Sequence, residues 1–240
     1  MSGHSKWSTI KRQKGLNDQK RGKTFTKLAN AITISVKQGG GIGDPNSNVR
    51  LRLAIDAARA LNMPKENIER AIKRASGKEA GELLEVIYEG FTPGGASIIV
   101  EAVTDNSMRT TPEIKSIFHK AGASFGQPGS VDYQFKHIGR VIVKKGNKSF
   151  DDIFSLVSDG GAEDIEEVGD EVFIYTNMHD LAKIRDALIE ASIEVVEADL
   201  IRQPITPIEI TDEDKLNKIE NFINALEELD DVQKVYTNLQ

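Results

Sequence analysis

Phe25, Leu28, Ile32 and Val36 recur three and four residues apart, the spacing that lines one face of an α-helix. This helix is expected to stop at Gly39-Gly40-Gly41. A second helix, opened by Pro45-Asn46-Ser47-Asn48, carries Leu51, Ala54, Ile55, Ala58 and Leu61 on one side and Arg52 and Arg59 on the other. Asn62-Met63-Pro64 breaks the pattern, and Pro64 suits the first turn of a third helix, where its missing N–H costs nothing. Ile68, Ala71, Ile72 and Ala75 form that helix's apolar stripe, Arg70, Lys73 and Arg74 face outward, and Gly77 ends it. Residues 1–20 hold Trp7, Ile10 and Leu16 as their apolar anchors, too few to order such a segment without a partner.

Beyond Lys78 the period changes. Ser97–Thr104 reads as a strand, a helix starts at Thr111-Pro112-Glu113 and ends at Gly122, and Ser130–Phe135 reads as a further strand. Residues 139–203 run as β-α-β-β-α-β, the ferredoxin-like order: strand 140–144, helix 150–158, a strand pair ending at 170–176, helix 180–191 and strand 193–201. Ser149-x-x-Asp152, Asn177-x-x-Asp180 and Thr211-x-x-Asp214 each offer an N-cap acceptor with an acid three residues on. After Pro204 and Pro207 come a helix (212–229) and a strand (232–239), which could not bury their apolar faces alone. The expected class is therefore α+β, with an N-terminal three-helix domain (1–78) followed by two ferredoxin-like α/β domains. The third domain (135–204) is inserted into the second (79–134 plus 205–240); a separate C-terminal hairpin is the alternative.

Charge sharpens this picture. Up to Lys78 there are 17 Lys/Arg against 5 Asp/Glu; beyond it there are 14 against 32, so a total of −6 conceals a strong dipole. Like charges crowded into one small domain repel. A polyanion would neutralise them, and nucleic acid is the expected partner. The candidate contacts are Lys6, Trp7, Lys11, Arg12, Lys14, Lys20, Arg21, Lys23 and Lys27, with Arg52, Arg59, Arg70, Lys73 and Arg74 on the helices. Trp7 can stack on an unpaired base or anchor the tail to the helices. The acidic remainder would keep the body off the polyanion and so fix one orientation.

Other chemistry is poorly supported. The chain has no cysteine, and His4, His119, His137 and His179 lie far apart, so no metal or cofactor is expected. The glycines at 39–43 follow a helix and lack the Gly-Lys-Ser/Thr ending of a P-loop. Tyr88-Glu89-Gly90-Phe91-Thr92-Pro93-Gly94-Gly95 suits a tight turn or the close approach of an RNA backbone. Thr104-Asp105-Asn106-x-x-Arg109-Thr110 gathers polar groups at a strand-to-helix junction, but Asp105 has no His or Ser partner for catalysis. Glu163, Asp164, Glu166, Glu167, Asp170 and Glu171 read as a solvated acidic hairpin rather than a calcium loop. No apolar run of about 18 residues suggests a membrane helix, and no secretory signal is expected behind Met1. A non-enzymatic protein without a small-molecule substrate is expected.

Several of these segments together resemble the YebC family: Gly3-His4-Ser5-Lys6-Trp7, Arg21-Gly22-Lys23-x-Phe25-Thr26-Lys27-Leu28, the run from Asn62 to Ile72, Tyr88 to Gly95, the Thr104–Thr110 motif and Gly129-Ser130-Val131. The resemblance spans essentially the whole chain. It implies a three-domain cytoplasmic protein. The family is commonly described as probable transcriptional regulators that bind DNA; its mitochondrial relatives are translational activators, and bacterial members are tied to ribosomes stalled on proline-rich nascent chains. The expected function is thus a nucleic-acid-binding regulator of gene expression. The alternative is a translation factor that binds the ribosome through ribosomal RNA.

Overall fold

A computed structural model describes residues 21–75 and 83–240; the expected stop at Gly77 lies outside them. The elements run α1 (Arg21–Gln38), α2 (Val49–Ala60), α3 (Lys65–Arg74), β1 (Leu84–Phe91), β2 (Ser97–Thr104), α4 (Ser107–Ala121) and β3 (Ser124–Phe125). They continue with β4 (Phe135–Lys144), α5 (Phe150–Ser158), β5 (Ala162–Val168), β6 (Glu171–Thr176), α6 (Leu181–Glu190), β7 (Glu194–Pro204), α7 (Glu213–Glu227) and β8 (Val232–Thr237). Helices first and two sheets afterwards make the architecture α+β. The described residues divide into two compact units: those up to Phe135 together with Pro204–Gln240, and Lys136–Gln203.

In the first unit, the apolar stripes of the three helices meet in one core around Ile32, Val36, Leu51, Ile55, Ala58, Ile68 and Ala71. The loop between α1 and α2 is held by buried Asn48. Its Oδ1 accepts from Leu51 N (3.0 Å) and caps α2, while its Nδ2 donates to Ser35 O and Ile42 O (3.0 and 3.1 Å). The glycines allow the turn, with Gly40 and Gly41 at φ of 70° and 82°, but the clamp fixes it. Pro64 stands at the N-cap of α3, one position before its first turn.

The first sheet has the order β3-β1-β2-β8, each neighbouring pair antiparallel. One face packs Tyr88, Ile98, Val100 and Ala102 against Ile114 and Phe118 of α4 and Ile219, Phe222, Ile223 and Leu226 of α7. The rings of Phe118 and Phe222 meet edge to face at 4.9 Å. So the C-terminal helix and strand find their core here.

Four expectations are corrected. Leu84–Phe91 is a strand, not a turn: it pairs residue for residue with β2, and Gly90 is needed because a Cβ there would strike the Ser124 carbonyl and lie 2.7 Å from the Phe118 ring. Helix α4 starts at Ser107, capped by Asn106, so Pro112 lies inside it. Ser130–Phe135 is not a strand, because Asp132–Gln134 forms a 3-10 turn and β4 begins at Phe135. With β1 present, this unit runs β-β-α-β-α-β and its first hairpin lies in the middle of the sheet, which is not the ferredoxin-like arrangement expected of it.

The second unit runs β-α-β-β-α-β, with sheet order β5-β6-β4-β7. Ile153 and Val157 of α5 and Leu181, Ile184 and Leu188 of α6 are buried, as the helical period requires. Ser149 and Asp152 form the complete capping box, and hydrogen bonds donated to Asp152, by the Ser149 hydroxyl first and its backbone N–H second, hold that carboxyl below its ordinary range. The other two caps are shifted. Asp212 rather than Thr211 accepts from Lys215 N (3.1 Å), and Asp180 stands before α6 while Asn177 Oδ1 receives the N–H groups of His179 and Asp180.

Candidate nucleic-acid interface

The proposed contacts Lys6, Trp7, Lys11, Arg12, Lys14 and Lys20 lie outside the described residues, as does the side chain of Arg21. The rest fall into distinct environments. Lys23 and Lys27, one turn apart on α1, point at the C-terminal end of α7. Lys27 Nζ donates to Glu227 O at 2.5 Å; Lys23 Nζ donates to Glu228 O at 3.3 Å and lies 3.7 Å from Asp230. Arg52 is half-buried and its Nε staples the Pro45 carbonyl (3.1 Å). Arg59 is exposed, 3.8 Å from Asp56. Half-buried Arg74 donates to Asn30 Oδ1 at 3.3 Å.

Arg70 and Lys73 differ from these. Both are exposed on the outer face of α3, and neither reaches a hydrogen-bond or ion-pair partner among the described residues. Lys73 and Arg74 also fall in the last turn, where cations complement the negative end of the helix dipole. The same face carries Glu66 and Glu69, the latter 3.5 Å from Lys65.

The two polar motifs of the first unit turn out to be internal fastenings. In the Thr104–Thr110 segment everything converges on Asp231, just before β8. Its Oδ2 accepts from Thr110 (2.5 Å), Arg109 (2.9 Å) and Thr104 (3.1 Å), and Arg109 also reaches Asp105 (3.1 Å). Burial opposes ionisation of Asp231, yet the hydrogen bonds from Thr110, Arg109 and Thr104 prevail and hold its carboxyl below the usual range. The bond that Arg109 donates to Asp231 in turn raises the Arg109 pKa. In the Tyr88–Gly95 segment, buried Glu89 accepts the backbone N–H groups of Gly129, Val131 and Asp132 at 2.6, 2.8 and 2.9 Å. Sequence reasoning missed Asp231 and Glu89 as organising groups. Neither gave a signal: Glu89 alternates with Tyr88 and so lies on the face away from the helices, with Glu85, and its partners are 40 residues or more along the chain.

In the second unit, two of the hairpin acids are met by cations, Lys136–Glu163 at 2.8 Å and Lys145–Glu167 at 2.5 Å, and on β7 Lys144 pairs with Glu194 at 2.8 Å. Arg140, deeply placed, pairs with Glu197 at 2.5 Å. Among the described residues no three His, Asp or Glu side chains are grouped to hold a metal, and no helix is long and apolar enough to cross a membrane.

Comparison with known proteins places this geometry. Residues 5–78 match the family described as the TACO1/YebC protein N-terminal domain, and residues 83–239 match the TACO1/YebC second and third domain. A protein of Syntrophomonas wolfei is 43% identical over 242 residues, covering 100% of this chain and 96% of its own length. One of Roseiflexus castenholzii is 45% identical over 245 residues, covering 100% and 95%. Both are described as probable transcriptional regulatory proteins. The crystal structure of a conserved hypothetical protein from Aquifex aeolicus superposes with a TM-score of 0.84 at 38% identity, covering 93% of this chain and 91% of that one.

Proposed function

We propose that this chain, which belongs to the TACO1/YebC family, is a non-enzymatic regulator of gene expression that binds DNA through its basic N-terminal helices. The carrying observation is the separation of charge, 17 Lys/Arg against 5 Asp/Glu up to Lys78 and the reverse excess beyond it. The regulatory role is supported by the probable transcriptional regulatory proteins it resembles along its whole length. The contacts are the N-terminal cations from Lys6 to Lys20 together with Arg59, Arg70 and Lys73. Three domains carry this out: a helical head, a discontinuous body, and a ferredoxin-like insertion, a reading supported by the strand order β5-β6-β4-β7.

One observation favours ribosomal RNA as a second reading. A helix that reads a major groove aims polar groups at base edges. The outer face of α3 instead interleaves Glu66 and Glu69 with Arg70 and Lys73. Such a face suits isolated phosphates on an irregular RNA surface better than a groove. Crosslinking the protein to nucleic acid in cells and sequencing what is attached separates the two. Promoter-proximal DNA is the expected product. Ribosomal RNA reads would replace the first reading with the second, and recovery of neither would remove both.

A further inference from the structure

We propose that Lys23 and Lys27 are a latch holding the helical head on the C-terminal end of α7, and that among the described cations a polyphosphate is met by Arg59 on α2 and by Arg70 and Lys73 on α3. The second half rests on the nucleic-acid reading; the first does not.

The last carbonyls of any helix lack intrahelical donors and form its negative end. In α7 that end is further charged by Glu227, Glu228 and Asp230. Lys27 Nζ, partly buried, is 2.5 Å from Glu227 O, and Lys23 Nζ reaches Glu228 O and Asp230 from the preceding turn. The same side of α1 continues through Ile34, buried with Leu83 and Val103, to Lys37, whose Nζ donates to Leu83 O at 2.8 Å. Positions 23, 27, 34 and 37 fall on one helical face, opposite the stripe of Phe25, Leu28, Ile32 and Val36. Helix α1 therefore carries two seams, an apolar one inside the head and a cation-fastened one against the first sheet and α7. A polyphosphate could draw on Lys27 by breaking that second seam, whereas Arg70 and Lys73 are exposed without any rearrangement.

Competitive lysine acylation of the full chain, read by mass spectrometry, tests this. In the free protein Lys27 is expected to react about tenfold or more slowly than Lys73, since a charged hydrogen bond is worth roughly 1.5 kcal/mol or more. Adding a DNA duplex, or ribosomal RNA in a parallel arm, should slow Lys73 and leave Lys27 unchanged. Lys27→Met should keep the salt dependence of binding. Arg70→Ala with Lys73→Ala should flatten the slope of log K against log[salt] on duplex DNA by about 1.8. Lys27→Arg, which keeps a cation and donors, should hold α1 as the parent does in hydrogen exchange, and Lys27→Met should not. Equal reactivity of Lys27 and Lys73 in the free protein overturns the latch. Protection of Lys27 that appears with nucleic acid bound overturns the division of labour. Should neither polymer bind, the nucleic-acid reading fails while the latch is still judged by the free protein.

Discussion

Glu89→Ala is expected to cost at least about 3 kcal/mol of folding stability, because three backbone N–H groups lose their acceptor at once and each unsatisfied group costs about 1–3 kcal/mol. Glu89 is 6% exposed and its carboxylate receives the N–H groups of Gly129, Val131 and Asp132 at 2.6–2.9 Å, so water cannot replace it without opening the loop. That loop passes over the first sheet, where Val131 is buried with Ile99 and Phe135. Loss of the carboxylate thus loosens apolar packing as well as hydrogen bonding. Glu89→Gln should fall between, since one oxygen remains while the new NH2 group confronts an N–H donor. Urea unfolding checks this through the midpoint, with the slope unchanged. A loss below about 1 kcal/mol, typical of an ordinary surface change, would contradict the role assigned to Glu89.

The second large effect belongs to Asp231. Thr104 and Thr110 are buried at the β2–α4 junction and share its carboxylate with Arg109, so Asp231→Asn removes a charged acceptor from three donors and should cost about 2 kcal/mol near neutrality. The pH dependence follows in sign from the lowered folded-state pKa. Unfolding returns the carboxyl to its ordinary value near about 4, so the folded state is favoured at any pH above that value and loses the advantage as pH falls through the lower folded value. The stability gap between parent and Asp231→Asn is therefore widest near neutral pH and narrows in acid. A gap that stays constant down to the acid transition would show that the charge on Asp231 does nothing for the fold.

What could be read in the sequence, and what could not, follows the range of the interactions. Helical stripes such as Leu51-Ala54-Ile55-Ala58 and the Ser149–Asp152 box are set by neighbours within one or two turns, and they stand where the pattern puts them. Strand β1 was hidden because Gly90 resembles a turn signal until Phe118 and Ser124 are brought against it. The start of α4 was misplaced because Pro112 marks a helix start by local rule, whereas Asn106 caps the helix six residues earlier. Asp231 lies 121 residues from Thr110, a distance no periodicity bridges. The candidate contacts suffer the same limit. Counting cations picks out Lys27 and Lys73 alike, and it takes the fold to bring Glu227 O to one of them.

The central claim is that the basic N-terminal region grips a phosphate backbone, and the salt dependence of binding by the full chain tests it most directly. With about six of the cations on phosphates, log K should fall against log[salt] with a slope near −5 on duplex DNA and about −4 on single-stranded RNA, and removal of residues 1–20 should weaken binding broadly and flatten the slope. Indifference to DNA, RNA and ribosomes at low ionic strength, or binding by the truncated chain as tight and as salt-sensitive as the parent's, would contradict it.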